Sequence, residues 1–165
     1  MHITETSLDA HLPVTAPIED HPDKYGYRFD ATIWRTLHGH APIRSLIWDF
    51  CVHDLYTAAT ELNELEISTD ERGTRILDLY TDMAYSPFTR RTERIAIRGW
   101  DLVKFVCADP NLTIRFNNAS ELEMTMEAAL LRRLGLELQN SRKPQTTHKT
   151  IVIGITANES TEAQS

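Results

Sequence analysis

The chain lacks the features that mark several large classes of protein. It has six glycines and two cysteines in 165 residues, and its apolar runs, such as Ile151-Val152-Ile153, are only a few residues long. Runs this short exclude a transmembrane helix, which needs about 20 apolar residues. Neither a G-x-x-x-x-G-K-[ST] phosphate loop nor a G-x-G-x-x-G fingerprint occurs. The sequence therefore predicts no membrane span, no common nucleotide site and no cofactor.

Positive charge is also in short supply. Lys and Arg number 17 against 24 Asp and Glu, which gives a net charge of −7. An acidic chain repels the phosphate backbone, so we expect no non-specific nucleic-acid binding. The first residues include neither a basic start nor an apolar stretch, and this pattern predicts no export signal. Two cysteines without export favour reduced thiols and a cytoplasmic or nuclear protein.

The pattern of prolines and apolar residues divides the chain into three parts. Residues 1–28 contain Pro13, Pro17 and Pro22 and carry more acid than base, which predicts an irregular acidic arm. Residues 29–139 show helical periodicity and predict a mainly α domain, a compact bundle of about five helices. Residues 140–165 are polar, with strand propensity around Ile151–Ile155, and predict a flexible tail.

Helical spacing is clearest in the first part of the domain. Asp30 is a candidate N-cap for a helix that ends at Gly39. Pro42 suits the first position of the next helix, which is apolar on most of its circumference as far as Leu55. Its buried stripe is predicted to contain Ile43, Leu46, Ile47, Phe50 and Cys51.

Two capping boxes predict further helices. Ser68-Thr-Asp-Glu71 would open a helix that ends at Pro87, and Ser120-Glu-Leu-Glu123 would open the last helix, which ends at Gly135. A fourth helix is expected between them, from Thr92 to about Cys107. The alternating residues 112–116 fit either a strand or an extended connection.

Histidines and cysteines raise the question of a metal or catalytic site. Cys51 and His53 are two residues apart, and on a helix such residues point about 200° apart, so we expect no metal there. Asp49 and His53 share one helical face, which is typical of an ordinary surface pair and also of a carboxylate that orients an imidazole. With His38 or His40 nearby, the pair defines the alternative hypothesis, a small enzyme or ligand-binding protein.

A basic cluster stands out in this acidic chain. Four arginines occur within nine residues and predict a surface for an anion or an acidic protein partner: Arg90, Arg91, Arg94 and Arg98. The competing interpretation is a solvated polar face, balanced by Glu93 and Asp101. If the segment is helical, Arg90, Arg94 and Arg98 line one edge and repel each other.

A partial family resemblance adds to this picture. The segment Ala31-Thr-Ile-Trp-Arg-Thr-Leu-His-Gly-His-Ala-Pro-Ile-Arg-Ser-Leu-Ile-Trp-Asp-Phe-Cys-Val-His53, preceded by Asp23-Lys-Tyr-Gly26, resembles the helices that follow the BTB/POZ domain in a large fungal family. The resemblance covers about residues 23–85. It implies the helical region alone, because the BTB core, which carries the family's dimerisation and ubiquitin-ligase adaptor roles, is outside the matching residues. Together these observations predict a non-enzymatic protein-protein interaction module whose partner is another protein.

Overall fold

The computed structural model describes residues 1–20, 28–62, 64–87 and 94–142. Its strands are β1 (His2–Ile3), β2 (Asp54–Ala58), β3 (Ser68–Thr69), β4 (Arg75–Leu79), β5 (Arg94–Arg98), β6 (Leu112–Phe116) and β7 (Met124–Glu127). Its α-helices are α1 (Arg28–Leu37), α2 (Leu46–Val52), α3 (Gly99–Asp101) and α4 (Ala128–Ser141). A π-helical turn, Leu102–Val106, continues α3, and short 3-10 turns span Glu5–Ser7, Ile18–Asp20, Ile43–Ser45 and Met83–Tyr85. The fold is α/β, so the prediction of a mainly α bundle is wrong.

Within the described residues, five strands form a mixed sheet in the order β1-β7-β6-β4-β3. The central pair, β4 and β6, is parallel, whereas β6 and β7, and also β3 and β4, are antiparallel. Strands β2 and β5 form a separate antiparallel ribbon. The backbones of Tyr56 and Tyr80 exchange two hydrogen bonds, 2.9 and 2.8 Å long, which attach this ribbon to the chain immediately after β4.

The core lies between the central strands and the helices. Leu77, Leu79 and Ile114, from β4 and β6, are completely buried. The rings of Phe29, Phe50 and Phe116 meet edge to face, with centroids 5.6 to 6.5 Å apart, and so join α1, α2 and β6. Close backbone contact requires Gly99, because a Cβ there would lie 1.7 Å from the Phe50 carbonyl oxygen.

The helices expected early in the domain are present but short. Helix α1 covers the first of them, although Asp30 lies in its first turn instead of capping it. The second begins as the 3-10 turn after Pro42 and ends at Val52, because the chain then enters β2. The predicted stripe of this helix is buried throughout. Apolar periodicity therefore located these helices and their inner faces correctly.

The predicted helix from Ser68 to Pro87 is wrong, because its residues form the hairpin of β3 and β4. The Asp70 carboxylate accepts hydrogen bonds from the backbone N–H groups of Arg72 (2.9 Å) and Thr74 (2.8 Å). Gly73 adopts a positive φ of 81° in this turn, which glycine permits without strain. The residues that resemble a helix cap therefore build a turn instead.

The second capping box also folds as a turn. The Ser120 hydroxyl accepts a hydrogen bond from the Leu122 N–H (3.0 Å), and the Glu123 carboxylate accepts one from the Ala119 N–H (2.6 Å). Strand β7 follows this turn, so α4 begins only at Ala128. Side-chain contacts of this kind can begin a helix. In this segment they instead pair the backbone N–H groups that precede a strand.

In the middle of the chain, one expectation is corrected and one open alternative is decided in favour of a strand. The predicted helix from Thr92 to Cys107 is a strand over Arg94–Arg98 and becomes helical only at Gly99. Residues 112–116 are a strand, β6, which pairs on both sides in the centre of the sheet. Every second residue of β6 is buried, as expected for a strand with one face packed against the core.

The N-terminal residues belong to the folded body as far as residue 20. Strand β1 pairs in parallel with β7, and Ile3 and Leu8 are buried in the core. Further along, Asp9 bonds to Arg44 at 2.6 Å. Residues 1–20 therefore do not form the irregular arm that the sequence predicts. Residues 21–27 and the expected tail strand near 151–155 lie outside the described residues.

We predict that Leu46→Asp lowers the free energy of unfolding by at least about 3 kcal/mol, because Leu46 is 2% exposed and a buried carboxylate loses both apolar contact and hydration. Urea denaturation followed by circular dichroism measures the change. Leu62→Asp is the control, since Leu62 is 80% exposed, and should move stability by less than about 0.5 kcal/mol. Similar unfolding midpoints for both variants would contradict the assigned core.

Candidate functional site

The arginines predicted as a partner surface are partly within the described structure. Arg94 and Arg98 are the first and last residues of β5, whereas Arg90 and Arg91 lie outside the described residues. Four residues along a strand put the two Cα atoms about 13 Å apart on the same face. The expected helical edge is therefore wrong for Arg94 and Arg98. On a strand, their guanidinium groups avoid the close repulsion that two neighbouring arginines on a helix would have.

The β2–β5 ribbon has an inner and an outer face. Leu55 pairs with Ile97 and Thr57 with Ile95 on the inner face, where Leu55 and Thr57 are buried and Ile97 packs against the core. The outer face carries the remaining three cross-strand pairs, which are Asp54 with Arg98, Tyr56 with Ala96, and Ala58 with Arg94. The two arginines thus point away from the core, on the same face as Ala96.

The hydrogen bonds of β2 show which edge of β5 is free. Tyr56 bonds through its backbone to Tyr80 on the side away from β5, and the Gly99 N–H bonds to the His53 carbonyl at 2.9 Å. Alternate residues of an antiparallel strand direct their backbone groups to opposite sides. Ile95 and Ile97 therefore bond to β2, whereas the N–H and C=O groups of Arg94 and Ala96 and the N–H group of Arg98 point outward. Arg98 is also the N-cap residue of α3, so its C=O faces the first turn of that helix. Among the described residues, no third strand pairs with β5 on that side.

Arg98 is held by groups at the start of β2. Its Nε lies 2.8 Å from the Asp54 Oδ1, and its Nη1 donates to the Val52 carbonyl oxygen at 2.6 Å. The side chains of Arg98 and Asp54 are 50% and 55% exposed. An ion pair this exposed is screened by water and contributes little to stability. Arg94 makes no ion pair with any other described residue.

A polar cleft of about 300 Å³ adjoins the outer face of the ribbon. It is lined by Val52, His53, Asp54, Tyr56, Thr81 and Arg98. Partial burial lowers the pKa of His53, opposed by the nearby carboxylates of Asp49 and Asp54. The imidazole is thus held towards its neutral form, in which one ring nitrogen donates and the other accepts a hydrogen bond.

Buried polar groups lie at one wall of this cleft. The Thr81 hydroxyl donates to the Asp30 carboxylate, and the Thr81 N–H donates to the Asn117 side-chain oxygen at 3.0 Å. Asp30, Thr81 and Asn117 are each at most 2% exposed. Burial raises the pKa of Asp30 to about 6, against the lowering effect of the Thr81 hydrogen bond. Asp82 raises the Asp30 pKa further, and burial together with the Asp30 charge raises the pKa of Tyr85 to about 12.

This cluster was not predicted, since its members come from three distant segments and no local spacing relates them. The pair that was predicted, Asp49 and His53, does come together, but Asp49 is buried and accepts a hydrogen bond from the Thr32 hydroxyl at 2.6 Å. His53 contacts Phe29, at the start of α1, with ring centroids 5.7 Å apart.

The remaining histidines of the alternative hypothesis lie elsewhere. The rings of His38 and His40 lie 4.4 and 6.0 Å from Trp34, in the last turns of α1 and just beyond. His40 also bonds to the Ala16 carbonyl oxygen. Because α1 separates these two histidines from the region of His53, the structure does not assemble them with it into one site.

The described residues contain no group of three or more His, Cys, Asp or Glu side chains arranged to hold a metal ion. Cys51 and Cys107 are both buried, and burial raises the pKa of each to about 12, so both are protonated thiols at neutral pH. No helix in the described ranges is long and apolar enough to cross a membrane.

Comparison with family models, with curated proteins and with solved structures found no match. The resemblance of residues 23–85 to the helices of fungal BTB proteins therefore stays a prediction.

We predict that Asp30→Asn flattens the pH dependence of stability between about pH 4 and pH 6. The folded pKa of about 6 exceeds the unfolded value of 3.8, so the wild type loses stability as pH rises through this window and Asp30 ionises. Urea denaturation at several pH values should show the variant gaining about 2 kcal/mol on wild type between pH 4 and pH 6.

Asp9→Asn is the control for this measurement. The Asp9 carboxyl is exposed, and its hydrogen bond to Arg44 lowers its pKa, so its removal should not reproduce the gain. If Asp30→Asn and wild type change in parallel with pH, the Asp30 carboxyl is not the group that titrates.

Proposed function

We propose that this protein is a non-enzymatic interaction module that binds an extended, acidic segment of another protein along the free edge of β5. In this mode the segment adds one strand to the β2–β5 ribbon through main-chain hydrogen bonds. We assign the activity to the cytoplasm or the nucleus, where two buried thiols stay reduced.

The observation that carries the proposal is the outward row of backbone groups on β5. Arg94 and Ala96 present N–H and C=O groups, and Arg98 presents its N–H, on a side where no described strand pairs with them. All five residues of the strand are at least partly exposed, as expected for a strand at the surface. An unpaired strand edge is a template for another chain, and natural proteins cover or guard edges that have no such use.

Charge supports an acidic partner. The row begins and ends with arginine on a chain whose net charge is −7, so the edge is locally basic on an acidic protein. Such a contrast steers acidic segments to the edge and repels basic ones. It also disfavours nucleic acid, since the rest of the surface opposes a polyanion of that length.

The alternative, an enzyme or ligand-binding site around Asp49 and His53, has less support. Asp49 is buried and bonded to Thr32, and His38 and His40 lie beside Trp34. The geometry therefore favours the strand edge as the functional surface.

We predict that Ala96→Pro weakens partner binding and leaves the fold intact. Proline removes an N–H that points away from β2, and edge strands tolerate proline at such positions. Peptides selected on wild type from a random heptapeptide display library provide the probe. Their affinity, measured by isothermal titration calorimetry, should fall at least about tenfold, because one hydrogen bond is lost and the ring obstructs the edge.

Two further variants control this experiment. Ala96→Ser keeps the N–H and should bind as wild type does. Ile95→Pro removes an N–H that bonds to β2 and should lower the free energy of unfolding instead. Equal affinity of a selected peptide for wild type and Ala96→Pro, or a library that yields no binder, would contradict strand addition at β5.

A further inference from the structure

We propose that β5 selects a five-residue segment of the pattern acidic, apolar, any residue, apolar, acidic, and that Asp54 competes with one of its acidic side chains for Arg98. This inference rests on the proposed function, because it specifies which strand the free edge accepts. It also assigns a role to an ion pair that contributes little to the stability of the fold.

The pleat of the sheet determines where the side chains of the added strand lie. Residues directly opposite each other on neighbouring strands share a face, with Cβ atoms about 4.5 to 5.5 Å apart. The residues opposite Arg94 and Arg98 would therefore lie on the outer face, four positions apart in the segment. Opposite charges at such positions attract, and this relation holds whether the added strand is parallel or antiparallel.

The two positions between them alternate to the inner face. There they extend the row that contains Ile95 and Ile97, which are only partly exposed, and Ile97 packs against the core. Apolar side chains at these positions, above all β-branched ones, would cover the isoleucines and remove apolar surface from water. The middle residue lies opposite Ala96, whose small side chain sets no strong requirement.

Asp54 occupies the equivalent position on the other side of Arg98. It is the cross-strand partner of Arg98 in β2, so its Cβ is at the distance that the incoming acidic residue would have on the free side. Arg98 directs its Nε and Nη2 towards the two Asp54 carboxylate oxygens, at 2.8 and 3.5 Å. A guanidinium presents five donors in one plane, so the head group can turn from one carboxylate to the other.

The exposure of this pair makes the exchange favourable. Both side chains are about half exposed, so little is lost when their contact breaks and Asp54 returns to water. Asp54 thus lowers the affinity of β5 for acidic segments without blocking its backbone edge.

A second copy of this chain is a poor occupant of the same edge. Two β5 strands that paired antiparallel would place Arg94 of each opposite Arg98 of the other, and like charges directly opposite destabilise the pair. The arginines therefore guard the edge against self-association and admit a segment of the opposite charge.

The test uses two synthetic peptides that differ only in charge, one with the central sequence Glu-Val-Ser-Val-Glu and one with Gln-Val-Ser-Val-Gln. Isothermal titration calorimetry on wild type should give at least about tenfold tighter binding of the Glu peptide at low salt, with a smaller difference at high salt because exposed charges are screened. Asp54→Asn should bind the Glu peptide about two- to fivefold tighter than wild type does. It should bind the Gln peptide with the same affinity as wild type.

The matched control is Glu71→Gln, which removes the same charge from the exposed turn between β3 and β4, near the start of β4 and away from Tyr80. It should leave both affinities unchanged. Arg98→Gln should reduce the preference for the Glu peptide. In the double variant, adding Asp54→Asn to Arg98→Gln should not change the affinity for the Glu peptide further. Thermal unfolding of each variant confirms that the fold is retained.

The outcomes separate this inference from the proposed function. If both peptides bind wild type equally and lose affinity for Ala96→Pro, strand addition stands and the acidic pattern is overturned. If library-selected peptides bind but neither designed peptide does, the pattern is again overturned. An unchanged Glu-peptide affinity in Asp54→Asn removes Asp54 as a competitor. A dimer in sedimentation that Ala96→Pro abolishes would show that a second copy occupies the edge.

Discussion

The hydrogen bonds at the carboxyl ends of β4 and β6 are the constraint on which the rest of the structure depends. The Asn117 N–H bonds to the Leu79 carbonyl at 2.9 Å, and the Asn117 side chain accepts from the backbone of Thr81. Between those two contacts the backbone of Tyr80 pairs with Tyr56 and so fixes the β2–β5 ribbon. Because Thr81 also holds Asp30 of α1, one turn of chain connects sheet, ribbon and helix layer. This junction also determines the position of the β5 edge that no other described strand covers.

Sequence patterns correctly predicted the helices that pack through one continuous apolar stripe. They did not predict the strands, whose pairing partners are distant in the sequence. The stripe around Leu46 and Phe50 locates α2 because every inward position repeats with the helical period. By contrast, β4 pairs with β6 across more than thirty residues, so neither strand shows its partner locally. The capping boxes misled because serine and carboxylate side chains satisfy exposed N–H groups in turns and at helix starts alike.

The candidate site shows the same division. Charge alone identified Arg94 and Arg98 as unusual in an acidic chain, and that part of the reasoning needed no structure. Their sequence spacing favours a helix, and only the register of β2 and β5 shows which backbone groups point away from β2. The buried contact of Asp30 with Thr81 had no sequence signal, since a carboxylate in the first turn of a helix usually serves that helix.

The pairing of β1 with β7 has a consequence for how the protein is made. His2 lies opposite Thr125, so one edge of the sheet cannot form until nearly all of the folded body has left the ribosome. Contacts of such long sequence separation slow folding, because the loop between them must close first. Until then Ile3 and Leu8 lack the neighbours that bury them in the native state. During synthesis, these apolar side chains therefore stay exposed until β7 has formed.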